Sequence, residues 1–502
     1  MEEPRADVSA ATEEYRSLRA QVERAIRPLA TSLDGRRFTL QASPHDLAFQ
    51  AGGYVSLAGD PPALGQVTRL ELATEDGADV AFAAPDGSSG AVRASVRLRV
   101  VRGEGVLLGG ESGPFHDVEA RPAAAEEVAA LLEALRPPRA TLGFGELLLA
   151  PGVQLGLDAG GFGRHTFLCG QSGSGKTYAL GLLLEQLLQE TSLRLVILDP
   201  NSDYVRLGEA RSGADTDAAA RYRDRARVDV RTARGGGPDR LRLRFAELEP
   251  ATQAAVLGLD PIADRAEYAE LVALVEEARG AELAPLTEHA ARRAGAAPLA
   301  ERARNLGVIG WEVWAGADPG SIVDELREGD WRCLVVDLGS LGSRAEQALT
   351  ADAILGELWR GRVRREPLLV VVDEAHTLCP AQPEDALTAR STEHLIAIAG
   401  EGRKFGLYVL IASQRPQKVH ENVLSQCDNL LLMRMNSTAD LAAVGDVFSF
   451  VPPGLLERAT AFRQGECLVA GNLVSHPALA RVGARVSQEG GADVPATWAD
   501  PN

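Results

Sequence analysis

Apolar positions along this chain change period three times, and the changes divide it. Over 9–30, Tyr15, Leu18, Val22, Ile26 and Leu29 recur every three or four residues, the stripe of an amphipathic helix. From about 36 to 118 the period is two. Val92, Ala94, Val96, Leu98 and Val100 alternate with Arg93, Ser95, Arg97 and Arg99, which predicts half-buried antiparallel strands. Shorter runs at 37–42, 54–57, 66–72 and 105–108 are separated by Gly, Pro and Asp turns, as in a small β-barrel or sandwich. A short helix at 123–135 ends at Pro137-Pro138. From 150 onward apolar runs at 165–169, 193–199, 332–338, 367–373, 407–412 and 429–433 alternate with helical stretches, the signature of a parallel α/β sheet. The expected organisation is an N-terminal helix (1–35), a β-rich barrel-like domain (36–120), a linker (121–150), an α/β core (151–204 and 331–486) interrupted by a helical insertion (205–330), and a disordered tail (487–502).

The chemistry starts between the first strand of that core and its helix. Gly170-Gln171-Ser172-Gly173-Ser174-Gly175-Lys176-Thr177 is a complete phosphate-binding loop, preceded by the apolar run 165–169. It is followed by Leu180, Leu183, Leu184, Leu187 and Leu188 at helical spacing. Glycines let successive backbone N–H groups curl around phosphates, Lys176 places a cation on the β- and γ-phosphates, and the Thr177 hydroxyl suits Mg²⁺. The chain is therefore read as binding ATP or GTP.

Composition narrows the setting. The 502 residues suffice for several domains, and 45% hydrophobic with 24% charged residues is ordinary for a globular protein. No apolar run reaches the roughly 18–20 residues that span a bilayer, and the N-terminus lacks a signal-peptide pattern, so a cytoplasmic protein is expected. Cys169, Cys333, Cys379, Cys427 and Cys467 form no C-x-x-C pair and read as buried free thiols. A net charge of −18 argues against a surface that coats nucleic acid everywhere but leaves room for a locally basic channel. The arginines from Arg221 to Arg244 are interleaved with Asp224, Asp229 and Asp239, which fits a salt-bridged insertion better than a phosphate grip.

A second set of residues completes a hydrolytic reading. The strand at 367–373 ends in Asp373-Glu374; Asp373 is placed to support Mg²⁺, and Glu374 to polarise a water in line with the γ-phosphate. The strand at 407–412 runs into Gln414, which would sense the γ-phosphate if that strand lies between the phosphate-loop strand and the Asp373 strand. Arg403, in Gly402-Arg403-Lys404-Phe405-Gly406, is the first candidate for an arginine supplied to a neighbouring subunit, and Arg434 the second. The acids of Asp199-Pro200-Asn201-Ser202-Asp203-Tyr204 either approach the metal shell or cap the turn. A guanine-reading Asn-Lys-x-Asp is absent, and the acid pair favours ATP.

These segments, together with 370–376, 401–406, 413–416 and 465–471, resemble the HerA/FtsK superfamily, most closely the HerA-like DNA-translocating ATPases. The resemblance implies a RecA-like fold with an N-terminal barrel, a homo-hexameric ring with ATP and Mg²⁺ at subunit interfaces, and double-stranded DNA through the pore. It assigns Lys176 and Thr177 to phosphate and Mg²⁺, Asp373 and Glu374 to metal-linked and catalytic roles, Gln414 to sensing, and Arg403 to a finger acting across the interface. Archaeal members show His-Gly-Glu where Asn201-Ser202-Asp203 stands, so the chain looks like a bacterial branch, whose members pair with a nuclease or NAD-consuming effector in phage defence. A secretion- or conjugation-type ATPase pumping DNA or protein at a membrane is the alternative that the shared motifs leave open.

Overall fold

A computed structural model describes residues 5–59, 62–83, 91–110, 113–234, 237, 239–277, 282–293, 295–315 and 320–491. The first helix, Arg5–Ala25, stops three residues before Pro28, whose ring disfavours helical backbone at the residue before it. Strand β1 (Leu29–Ser32), expected to continue that helix, joins β2 (Arg37–Ala42), β3 (Tyr54–Leu57), β4 (Ala63–Ala83), β5 (Ala91–Leu108) and β6 (Phe115–Pro122). They close in the order β1-β2-β5-β4-β3-β6, so within the barrel each strand has a neighbour on both sides. Phe38, Leu40 and Ala42 alternate inward along β2. A barrel this narrow needs glycine beside its aromatic: a Cβ on Gly105 would lie 2.1 Å from the Phe38 ring. The alternation expected over 92–96 falls among side chains outside the described set.

Strands β4 and β5 pair well beyond the barrel, and the N-terminal helix docks on this extension through Glu23. Glu23 is fully buried and bonds to the Arg99 amide, to Arg19 and to His45. Burial pushes its carboxyl up, but the bonds from Arg19 and Arg99 outweigh burial and lower it to about 2. A carboxylate lowered in the fold stabilises it above its ordinary value and loses that contribution as pH falls toward the folded value. The protection of amides along the N-terminal helix, relative to their intrinsic exchange rate at each pH, is therefore expected to fall between about pH 4.5 and pH 2 in the wild type. Glu23→Gln should exchange fast at pH 7 as well; equal protection in both proteins at pH 7 would refute the role given to Glu23.

The rest of the chain builds one sheet from β7 (Thr141–Leu147), β8 (Gln154–Asp158), β9 (His165–Cys169), β10 (Arg194–Asp199), β11 (Val228–Thr232), β12 (Cys333–Asp337), β13 (Leu368–Val372), β14 (Leu407–Ser413), β15 (Cys427–Met433), β16 (Glu466–Gly471) and β17 (Ala478–Val482). The order is β11-β12-β10-β13-β14-β9-β15-β16-β17-β7-β8. From β11 to β15 neighbours run parallel, and from β15 to β8 antiparallel. The central strands are covered by helices on both faces, which is why His-Thr-Phe-Leu-Cys and Leu-Leu-Val-Val-Val are buried at every position. This is a RecA-like P-loop sheet behind a closed six-stranded barrel.

Three segments differ from expectation. Residues 141–147, read as linker, supply β7, because their alternate burial needs β17 and β8 on either side. The insertion carries the outermost strand, β11, as well as helices. The tail read as disordered is packed through 487–491, where Ser487 N donates to Glu185 and Gly490 N to the Asp203 carbonyl; 492–502 lie outside the described residues. All five cysteines are buried and free. The barrel leans on the sheet through Gln66, which donates to the Pro477 carbonyl at 2.8 Å, and through Tyr54 Oη to His476 Nε2 at 3.0 Å.

Candidate nucleotide and hydrolysis site

Strands β13, β14 and β9 are neighbours, with β14 between the phosphate-loop strand and the Asp373 strand. Their carboxyl ends bring Asp373-Glu374, Ser413-Gln414 and Gly170 together, the place where open α/β sheets bind ligands. The loop turns on Gly173 (φ +71°) and Gly175 (φ +96°), left-handed positions that a side chain resists. Gly175 caps the helix Lys176–Glu190, whose first N–H groups face the loop. The Ser174 hydroxyl is buried without a hydrogen-bond partner.

Lys176 is almost fully buried and ion-paired to Asp373 Oδ1 at 2.5 Å and Glu374 Oε1 at 3.1 Å. Burial alone would depress its ammonium; the two carboxylates outweigh burial and raise it. Asp373 has no exposed surface, and its Oδ1 also accepts the Glu374 amide at 2.8 Å. Glu374 takes φ +43°, strained for a residue with a Cβ. Its Oε1 accepts from Gln414 Nε2 at 2.7 Å, and Oε2 lies 3.2 Å from His376 Nδ1. Burial pushes the Glu374 carboxyl up, but His376, Lys176 and Gln414 hold it well below the usual carboxylate range.

Lys176, Asp373, Glu374 and Gln414 thus meet at one point, with Thr177 one residue along the helix from Lys176. In the chain Gln414 is a donor to Glu374. Arg403 does not join them. It precedes β14 while Gln414 follows it, so the length of the strand separates the two, and it pairs with Asp428 at 2.8 Å. Arg434 does reach the loop: its Nη2 donates to the Gly173 carbonyl at 3.3 Å, and its own carbonyl accepts the Gln171 amide. Asp199 caps its turn, accepting from Asn201, Asp203 and Tyr204 amides, and burial pushes its carboxyl up to about 7. Tyr204, to which sequence reading gave no role, is fully buried and donates to Asp373 Oδ2 at 3.2 Å. His376 was visible only as part of a motif. In the insertion, Arg227, Arg231 and Arg244 pair with Asp330, Glu325 and Asp324, as interleaved charges suggest.

The residues fit an Mg²⁺-nucleotide: a loop of left-handed glycines, an orphaned buried hydroxyl in it, one hydroxyl and one carboxylate beside a lysine. No group of three or more His, Cys, Asp or Glu side chains placed to hold a metal occurs among the described residues.

Residues 142–304 match the family model "Helicase HerA, central domain". The DNA double-strand break repair helicase HerA of Sulfurisphaera tokodaii is 33% identical over 172 residues, 32% of this chain and 33% of that protein. The HerA of Pyrococcus furiosus is 25% identical over 405 residues, covering 67% of this chain and 68% of the relative. The chain thus spans about a third of the first relative's length and two thirds of the second's. Among solved structures, VirB4 of Thermoanaerobacter pseudethanolicus aligns with a TM-score of 0.48 at 17% identity, over 70% of this chain and 97% of that one. The bacterial conjugative coupling protein TrwB gives 0.46 at 14% identity, over 72% and 92%. Residues 142–304, which carry the phosphate loop, are thus similar to the central domain of helicase HerA, and they lie in a P-loop sheet whose later strands supply Asp373, Glu374 and Gln414.

Proposed function

We propose that the chain is an ATP hydrolase whose turnover drives double-stranded DNA through the central pore of a homo-hexamer. The observation that carries this is the convergence of Lys176, Asp373, Glu374 and Gln414 on three adjacent strand ends, with Lys176 inside the segment that is similar to the HerA central domain. The loop from Gly170 to Thr177 binds the triphosphate; Lys176 neutralises it, and Thr177 with Asp373 would hold Mg²⁺. Mg²⁺ supplies charge neutralisation to the phosphates when bound. Glu374 is the base that takes a proton from the attacking water, and Gln414 orients Glu374.

Lys176 sets the timing. In the chain it pairs with Glu374, and a carboxylate so paired is a weak base. A triphosphate competes with Glu374 for the same ammonium, and a carboxylate that gives up that partner becomes the stronger base. Arg403, distant from Lys176 in its own chain, acts on the nucleotide of a neighbour. A nuclease or NAD-consuming effector works alongside the motor in DNA processing or phage defence, in the cytoplasm. No helix among the described residues is long and apolar enough to cross a membrane.

ATP turnover by the purified protein should rise on addition of linear duplex DNA, and native mass measurement with ATP and DNA should give six copies. Turnover indifferent to DNA, or a protein that stays monomeric under those conditions, would sink this reading.

A further inference from the structure

The acid that would hold Mg²⁺ is itself held, from a direction that neither the phosphate loop nor Glu374 supplies. Asp373 Oδ1 is occupied by Lys176 and by the Glu374 amide, while Oδ2 receives the Tyr204 hydroxyl at 3.2 Å. Asp373 and Tyr204 are both fully buried, so water does not replace that donor. Phenylalanine would fill the same space; the hydroxyl is what fixes the carboxylate plane. A buried carboxylate oxygen without a donor is costly and turns to find one, which moves the other oxygen too.

Tyr204 is in turn fixed from two sides. Its amide donates to Asp199 Oδ2 at 2.8 Å, at the end of β10. Its neighbour Asp203 is clasped by the C-terminal segment 483–491, which crosses the phosphate-loop helix on the way. Gly483 N donates to the Phe144 carbonyl and Arg485 N to Tyr178 Oη, both at 2.8 Å. Glu185, buried in the phosphate-loop helix, accepts the amides of Val486 and Ser487. The fully buried Arg485 guanidinium lies on Gly181 of the same helix, where a Cβ would sit 2.1 Å from its Cζ. Gln488 N then donates to the Glu209 carbonyl and Gly490 N to the Asp203 carbonyl at 2.9 Å. One segment thereby ties the helix that carries Lys176 to the turn that carries Tyr204.

We infer that Tyr204 is a positioning residue for Asp373, and that segment 483–491 is a strap keeping Tyr204 in register with the phosphate loop. This rests on the proposed role of Asp373 in holding Mg²⁺. It predicts that metal use, and not nucleotide binding, depends on the Tyr204 hydroxyl and on the Gly490 amide.

The test uses the full chain as wild type, Tyr204→Phe and Gly490→Pro, the last removing the amide that clasps Asp203. Two quantities are measured: binding of a fluorescent ATP analogue in EDTA, and Mn²⁺ binding by electron paramagnetic resonance with a non-hydrolysable ATP analogue present. Loss of an outer partner of a metal ligand typically costs about 10- to 100-fold in metal affinity. Tyr204→Phe is expected to weaken Mn²⁺ binding by that factor with analogue binding in EDTA unchanged, and Gly490→Pro to do the same less strongly. Unchanged Mn²⁺ affinity in Tyr204→Phe overturns the inference. So does an equal loss of metal-free nucleotide binding, which would mark Tyr204 as a packing residue. Should Tyr204→Phe fail to fold, Gly490→Pro with wild-type Mn²⁺ affinity overturns the strap. Absence of nucleotide-dependent Mn²⁺ binding in the wild type would instead count against the role given to Asp373.

Discussion

Replacing Arg403 by alanine is expected to reduce DNA-stimulated ATP turnover by about 10³- to 10⁵-fold, the range for an arginine that neutralises transition-state charge. The effect should come without loss of nucleotide binding, because Arg403 and Lys176 lie at opposite ends of the strands that carry the site. Arg403 sits part-exposed in a short 3₁₀ turn between Gly402 and Gly406 and pairs with Asp428, an acid it shares with Arg164. Such an ion pair near the surface is worth little to stability, so the folded chain should tolerate the substitution. Equal melting temperatures for wild type and variant would check this.

The decisive measurement is complementation. Arg403→Ala and Lys176→Ala are each expected to be inactive alone. In a randomly mixed ring, about a quarter of interfaces would join an intact phosphate loop from one subunit to an intact Arg403 from the next. Activity that appears on mixing two inactive proteins requires Arg403 to act across an interface. Persistent inactivity in all mixing ratios would refute the action of Arg403 across the interface and turn attention to Arg434, which touches the phosphate loop of its own chain.

Glu374→Gln is expected to keep ATP binding and to lower turnover by about 10²- to 10⁴-fold, the span of a positioned general base. Glutamine keeps the shape of Glu374 but carries no negative charge and takes no proton. The contacts around Glu374 explain why so small a change should matter. Its backbone is held at φ +43°, a conformation of order 1–3 kcal/mol above the usual regions. That strain places the carboxylate 3.1 Å from Lys176 and 2.7 Å from Gln414. Lys176 would keep Asp373 as its partner in the variant, so the phosphate site should persist. Fluorescent-nucleotide titration and single-turnover hydrolysis separate the two outcomes. Turnover within a few-fold of wild type would exclude Glu374 as the base.

Much of this site could be read from the chain because its parts are local. The phosphate loop is eight consecutive residues between a strand and a helix, and its glycines are needed where the backbone turns left-handed. Asp373-Glu374 announces itself as two acids ending a fully apolar strand. The parallel, doubly covered character of the central strands followed from their buried apolar runs; their order did not. Less was legible where a segment's identity depends on its partners. Leu29–Ser32 continues a helical stripe by period, yet pairs with β2 and β6. Residues 141–147 read as linker because their alternation is short; β17 and β8 make them a strand. The tail looked disordered for want of apolar residues, but 487–491 is held by backbone hydrogen bonds to Glu185, Glu209 and Asp203.

By itself the sequence determined that this protein has a phosphate loop, an acid pair at a strand end and a β-rich domain ahead of an α/β core. Each is encoded in residues adjacent along the chain or repeating with a fixed period. Only the tertiary structure decided that Gln414 donates to Glu374, that Tyr204 braces Asp373 from 169 residues away, and that Arg403 is remote from its own loop. Those facts depend on which strands lie side by side and at which end each residue falls. Side-chain contacts across a sheet reach only a few ångströms, so strand order and register set them, and a local pattern of residues does not.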